Sequence, residues 1–166
     1  MGSRVEPGRY TTPVDEDIVV YLVGLRINKP WLVHRWWPTM RAVAAMLHEL
    51  KEQPALGMLG VRAFPTGRNV TVLQYWRSYE DLQRYADASR HQHAFQYYFR
   101  QQYKSGALGI FHETYVVPAH NYEAIFVHMP EFGLGAALSR IPAGRYGDSM
   151  GERMSGETAG GEKTPA

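Results

Sequence analysis

A histidine and a glutamate stand side by side, as His112 and Glu113, within a strand predicted over residues 108–117. Neighbouring side chains of a strand point to opposite faces of the sheet, so one of the two points with Ile110 and the other with Phe111. An imidazole or a carboxylate on a covered apolar face needs a partner. We therefore predict that one of these two residues is either paired or functional.

The imidazole of His112 could serve three purposes. As a general base it would take a proton from an activated carbon or a phenol, and the substrate anion could then pass an electron to dioxygen. In a haem protein it would be the axial ligand of the iron. The third alternative is a core histidine bonded to a neighbouring strand or to a tyrosine. Glu113 belongs to the same catalytic candidate set, and its alternative role is an ion pair with Arg26 or Arg77.

Three tryptophans and a histidine lie between two prolines within residues 29–38. The rings of Trp31 and Trp36 could line a pocket in which His34 acts as an acid, a base or a ligand. Alternatively, these rings pack the start of a helix against the sheet. Both interpretations remain open from the sequence.

Three further candidates come from predicted strands. Tyr75 and Trp76 are consecutive, so only one of them can face a given pocket. Arg26 interrupts an apolar run, so we expect its guanidinium to have a partner. That partner is either a bound anion, such as a substrate oxyanion or a haem propionate, or the carboxylate of Glu113 or Glu123 in a salt bridge. The predicted catalytic residues are His112, Glu113, Tyr75, Arg26 and His34, and the predicted substrate-binding residues are Trp31, Trp36, Trp76, Tyr115, Met129 and Phe132.

The order of the elements predicts the fold. The first predicted element is an almost wholly apolar strand over 17–28, and a helix with Pro38 in its first turn follows it. Next come a hairpin of strands over 56–64 and 69–77 and a helical region over 79–103 with Ser78 as its N-cap. The strand over 108–117 completes this order. This βαββαβ order predicts an α+β, ferredoxin-like fold with helices on one face of an antiparallel sheet. The other face of the sheet must also be covered, so we predict a homodimer in which the sheets of two subunits pack against each other. A shorter strand over 122–128 and a loop over 129–135 follow.

Length and composition predict one main domain. The 166 residues are 45% apolar, 20% charged and 13% aromatic, which is enough to build a core. We predict an N-terminal loop segment over 1–16, the barrel domain over 17–143, and a disordered tail over 144–166 that is rich in Gly, Ser, Glu and Lys. The aromatic content suits a pocket for a flat or extended organic ligand, or else it fills the core and a subunit interface.

Charge and cysteine content exclude several classes of protein. A net charge of +2, evenly spread, argues against nucleic-acid binding. The absence of cysteine excludes disulfides, a thiol nucleophile and a Cys-ligated metal, and no metal-binding spacing is present. No apolar run reaches the roughly 18 residues of a membrane span, and residues 1–10 contain no signal core. We expect a soluble, cytoplasmic protein.

Several segments resemble the dimeric α+β barrel monooxygenases of antibiotic biosynthesis, and more closely the fumagillin-pathway monooxygenase-like family. Gln74-Tyr75-Trp76-Arg77-Ser78 carries this resemblance, together with residues 7–11, 25–31, 33–34, 109–115, 122–125, 129–130 and 132–135. The resemblance implies a small oxygenase that acts on an unsaturated or phenolic biosynthetic intermediate, either without a cofactor or with haem. The haem version would perform oxidation or dehydration. A third alternative is a non-catalytic, ligand-binding dimer module.

Overall fold

The computed structural model describes residues 4–87, 104–145 and 149–156. The chain forms two compact units, one made of Met1–Ile18 with Val116–Ala166 and the other of Val19–Tyr115. The strands are β1 (Arg9–Thr11), β2 (Ile18–Ile27), β3 (Met58–Thr66), β4 (Asn69–Trp76), β5 (Leu108–Val117), β6 (Phe126–Val127) and β7 (Ile141–Pro142). The α-helices are α1 (Val33–Glu52), α2 (Tyr79–Asp87), α3 (Gly133–Ala137) and α4 (Met150–Ser155). The domain boundaries predicted from the sequence stay predictions.

The second unit contains a four-stranded sheet in the order β3-β4-β2-β5. Helices α1 and α2 pack on the same face, since Leu50 of α1 and Leu82 of α2 share a buried cluster with Val19 and Trp76 of the sheet. Strand β2 pairs antiparallel with β4. The predicted ferredoxin-like α+β fold is therefore confirmed.

Helix α1 begins at Val33, so Pro38 lies inside the helix and the prediction that it occupies the first turn is wrong. The apolar stripe explains the earlier start. Trp36, Met40 and Val43 follow one another at helical spacing and pack against Leu25 in the core. Burial of this stripe outweighs the backbone hydrogen bond that an internal proline removes.

Helix α2 begins as predicted, because the backbone N–H of Asp81 donates to the Ser78 hydroxyl at 3.1 Å. The Asp81 carboxylate is also paired with Arg77 at 2.8 Å and with Arg84 at 3.0 Å. A side chain on Gly57 would collide with that carboxylate, and Gly57 has a φ of 92° that favours glycine. The rest of the predicted helical region, residues 88–103, lies outside the described residues.

The first unit contains a three-stranded sheet in the order β6-β1-β7. Strand β1 thus forms within the predicted N-terminal loop, the predicted strand over 122–128 is reduced to β6, and α3 begins within the predicted loop over 129–135. Part of the predicted tail is helical instead of disordered. Arg153 of α4 is 7% exposed, and its Nε donates to the Glu123 carboxylate at 2.7 Å. This pairing orders the segment, because a buried guanidinium needs a partner.

Within the described ranges, no helix combines the length and apolar character that crossing a membrane requires. The same ranges contain no group of three or more His, Asp or Glu side chains placed to hold a metal ion.

Candidate functional site

An apolar pocket lies between helices α1 and α2 and the helix-facing side of the four-stranded sheet. Its cavity volume is about 70 Å³, and it opens to solvent. Its walls are Tyr21, Val23, Val43, Met46, Leu47, Leu50, Gln74, Leu82, Tyr85 and Ala86. A concave, mostly apolar space with a few polar groups is the usual form of a small-molecule site.

Three polar side chains form a row across adjacent strands at this pocket. Tyr21 of β2 and Gln74 of β4 are directly opposite each other in the sheet, and both line the pocket. On the other side of Tyr21, the ring of His112 on β5 lies 6.0 Å from the tyrosine ring, with a tilt of 39° between the two planes. The strand order β4-β2-β5 therefore places an amide, a phenol and an imidazole side by side.

The structure decides which face of β5 carries which residue. Leu108 and Ile110 pack with Leu25 in the helix-side core, so His112 points to that side as well. Its side chain is solvent-exposed beside the pocket. Phe111, which alternates with these residues, points to the opposite, open side.

Glu113 lies on the open side and accepts a hydrogen bond from the Tyr115 hydroxyl at 2.7 Å. This bond raises the pKa of the Tyr115 phenol. The predicted pairing of Glu113 with Arg26 does not form, because Gly109 is the β5 residue beside Arg26. Four further residues along an extended strand place Glu113 roughly 13 Å away.

The two arginines that were predicted as partners of Glu113 have other contacts. Arg77 pairs with Asp81, and Arg26 is exposed and donates to the Asn69 side chain at 3.3 Å. Glu123, the other predicted partner of Arg26, pairs with Arg153.

The tryptophan-rich segment forms the entrance to α1. Trp36 is half-buried, packs in the core, and donates from Nε1 to the backbone oxygen of Pro30 at 3.1 Å. Trp31 and His34 are exposed, and Trp31 is 73% exposed. The walls of the described pocket include none of these three residues, and among them only Trp36 packs in the core.

Tyr75 and Trp76 face opposite sides of the sheet, as predicted. Trp76 is wholly buried on the helix side, where its ring lies 5.5 Å from that of Tyr85. Its Nε1 donates to the Gln74 side-chain oxygen at 2.9 Å. Trp76 therefore contacts two residues of the pocket wall, Tyr85 through its ring and Gln74 through its hydrogen bond. Tyr75 is half-buried on the other side, and this burial raises its pKa.

The remaining predicted substrate-binding residues are Tyr115, Met129 and Phe132. Tyr115 lies on β5 beyond the pocket, and it is 50% exposed. Met129 and Phe132 belong to the first unit, whereas the pocket is built by residues of the second.

Sequence reasoning did not single out Tyr21 or Gln74 as site residues. Gln74 carried a usable signal, since it is a polar residue at a buried position of β4 between Val72 and Trp76, which share its face. Tyr21 stands in an almost wholly apolar strand, where its hydroxyl is easily overlooked. Burial raises the pKa of the Tyr21 phenol, so it is a hydrogen-bonding group and not an anion at neutral pH.

Tyr85, in the pocket wall, gives a prediction for alkaline pH. Burial and the nearby Glu49 carboxylate raise its pKa from 10.0 to about 12. The folded state therefore holds this proton more tightly than the unfolded state, and the free energy of unfolding should fall as the pH rises from about 10 to about 12. Urea unfolding of the wild type and Tyr85→Phe across this range checks it. The variant should show a shallower decline, and identical slopes would contradict the prediction.

The fold and the pocket define the class of the protein, which is a ferredoxin-like α+β barrel protein with an apolar pocket between sheet and helices. Residues 18–134 match the model of the Monooxygenase af470-like family, and the chain belongs to that family. It is 26% identical to Monooxygenase af470 of Aspergillus fumigatus over 167 aligned residues, which cover 93% of this chain and 57% of that protein. The chain thus spans little more than half the length of this curated relative.

A solved structure shows the same fold. A crystal structure of an aldoxime dehydratase in complex with butyraldoxime superposes with a TM-score of 0.65 and 15% identity, covering 83% of this chain and 41% of that one. SnoaB, a cofactor-independent oxygenase from Streptomyces nogalater, matches with a TM-score of 0.43 and 9% identity, covering 60% of this chain and 91% of that one. Likeness at these identities concerns the fold alone, and the SnoaB match is too distant to carry an argument.

Proposed function

We propose that the protein is a small oxygenase-type enzyme that oxidises an apolar, unsaturated or phenolic organic substrate in the pocket between the sheet and the helices. The observation that carries this proposal is the imidazole of His112 held against Tyr21, a residue of the pocket wall. Membership of the Monooxygenase af470-like family supports the class of reaction. The apolar walls support the class of substrate.

In the proposed reaction, the His112 imidazole removes a proton from an acidic C–H or O–H of the substrate. The substrate anion then reduces dioxygen, which is the only co-reactant. For a methylene group that becomes a carbonyl group, the balance is CH₂ + O₂ → C=O + H₂O. One oxygen atom enters the substrate, the other leaves as water with both hydrogens, and the protein returns its proton.

In the haem alternative His112 would be the axial ligand, and a haem propionate is one of the anions that Arg26 could bind. The two residues lie on opposite sides of the sheet, since Leu25 faces the helices together with His112. Arg26 therefore does not lie at a site where His112 would be the axial ligand, and the haem alternative with His112 alone stays a prediction. The oxygenase proposal needs no such group.

We infer that the protein is a homodimer that forms through the open side of the sheet. Phe111 and Tyr115 are 47% and 50% exposed on this side, and the Phe111 ring covers Gly24, where a side chain would collide with it. A sheet with one uncovered apolar face gains from covering it with a second copy. Sedimentation equilibrium checks this inference, and a monomer at micromolar concentration would contradict it.

Oxygen uptake tests the proposed function even while the natural substrate is unidentified. The purified chain is incubated with a panel of activated methylene compounds and phenols in air, and dissolved oxygen and products are measured. We expect consumption of one O₂ per product and formation of a carbonyl group, with the second oxygen atom released as water. Binding of such compounds without any oxygen uptake would instead support the non-catalytic ligand-binding module.

A further inference from the structure

The side-chain amide of Gln74 is held in one orientation at the pocket. The indole N–H of Trp76 can only donate, so the Gln74 atom at 2.9 Å from it must be the carbonyl oxygen. The nitrogen of the amide, with two hydrogens to donate, is therefore the end that is not bound to Trp76. The wholly buried indole fixes this choice.

The donating end of Gln74 lacks a partner in the described part of the protein. Gln74 is only 5% exposed and it lines the pocket. Across the described ranges its one side-chain hydrogen bond is the one from Trp76. The amide nitrogen is not one of the described side-chain atoms that are both fully buried and unpaired, so it reaches the open space of the pocket and can donate to a ligand there.

The surroundings restrict the chemistry of that ligand. The pocket wall in the described residues contains no lysine, arginine or histidine, and its other polar groups are phenols. An ionised carboxylate or phosphate would lose its hydration there without gaining a counter-charge. A neutral acceptor oxygen on an apolar ligand loses little hydration free energy on entering the pocket, and it gains a hydrogen bond from the Gln74 amide.

We propose that Gln74 determines the specificity of the pocket by donating its amide hydrogens to a carbonyl oxygen of a flat, apolar ligand. Tyr21, directly opposite in the sheet, supplies a second hydrogen-bond donor to the same pocket. This inference rests on the proposed function, because it takes the same pocket as the substrate site. It narrows the substrate class to ketones, quinones and similar neutral carbonyl compounds.

The test uses two probes of matched shape, 2-acetylnaphthalene and 2-ethylnaphthalene, which differ by the carbonyl oxygen. Their dissociation constants are measured by quenching of tryptophan fluorescence on the full chain. The wild type should bind the ketone about tenfold more tightly than the hydrocarbon, since the hydrocarbon leaves the amide unpaired. Equal affinities, or no binding of either probe, would overturn the proposal.

Two variants of Gln74 remove the donor in different ways. Gln74→Glu keeps an oxygen for the Trp76 indole and replaces the amide nitrogen with a second oxygen, whereas Gln74→Met keeps only the shape. Both should lose the preference for the ketone while still binding the hydrocarbon, and Gln53→Glu, the same change at an exposed position, should keep it. Retention of the preference in either folded Gln74 variant would overturn the proposal.

This binding test is independent of turnover. A ketone preference that depends on Gln74, without oxygen uptake, would leave the inference standing and remove the proposed oxygenase function. If the Gln74 variants consume oxygen and keep the substrate preference of the wild type, the proposed oxygenase function stands and the inference about Gln74 falls.

Discussion

Replacing His112 with alanine is expected to lower the rate of oxygen consumption by about 100- to 10,000-fold, the range that a positioned general base contributes. The free energy of unfolding should change little, because the side chain is exposed and contacts mainly the ring of Tyr21. The measurement is initial oxygen uptake with whichever panel compound the wild type consumes. Urea unfolding of the same samples establishes that the variant is folded.

The matched control for this substitution is His48→Ala. His48 is also exposed, lies on α1, and is not part of the pocket wall, so its variant should consume oxygen at the wild-type rate. If His112→Ala loses less than about threefold in rate while folded, His112 is not the base. If it loses stability instead, the imidazole has a packing role against Tyr21.

Replacing Trp76 with alanine should lower the free energy of unfolding by about 3–5 kcal/mol, as for other large aromatic residues truncated in a core. Trp76 is wholly buried and packs against helices α1 and α2 through Leu50 and Leu82. Its loss would also leave the Gln74 oxygen without its donor. Urea unfolding measures the change.

Trp31→Ala is the matched control, since Trp31 is 73% exposed and its variant should stay within about 0.5 kcal/mol of the wild type. Trp76→Phe separates the cavity from the hydrogen bond, because it keeps a ring and removes the indole N–H. Its stability loss should be about half that of the alanine variant, and its preference for the ketone probe should weaken as the Gln74 amide becomes free to turn. A loss below about 1 kcal/mol in Trp76→Ala would contradict the role of this residue in the core.

Some features of the site could be predicted from local sequence. The alternation of a strand separates His112 from Glu113 whatever surrounds them, and Ser78 caps α2 through a contact only three residues away. The same alternation places Tyr75 and Trp76 on opposite sides. Each of these features depends on backbone geometry within a few residues.

Other features depend on partners that lie far apart in the chain. Glu113 bonds to Tyr115 and not to an arginine because the alignment of β2 with β5 brings Gly109 to Arg26. Arg153 orders the segment that composition predicted as a tail, through Glu123, which lies 30 residues earlier. Neither partner could be chosen from residue type, since several oppositely charged residues were equally suitable.

The sequence by itself determined the βαββαβ order, and with it the ferredoxin-like fold, because hydrophobic periodicity and capping are local properties. Only the tertiary structure decided that Gln74, Tyr21 and His112 stand in one row, since this requires both the β2–β4 register and the β4-β2-β5 strand order. Strand pairing is a non-local choice, and a shift of one residue would turn Gln74 away from the pocket and bring Tyr75 towards it.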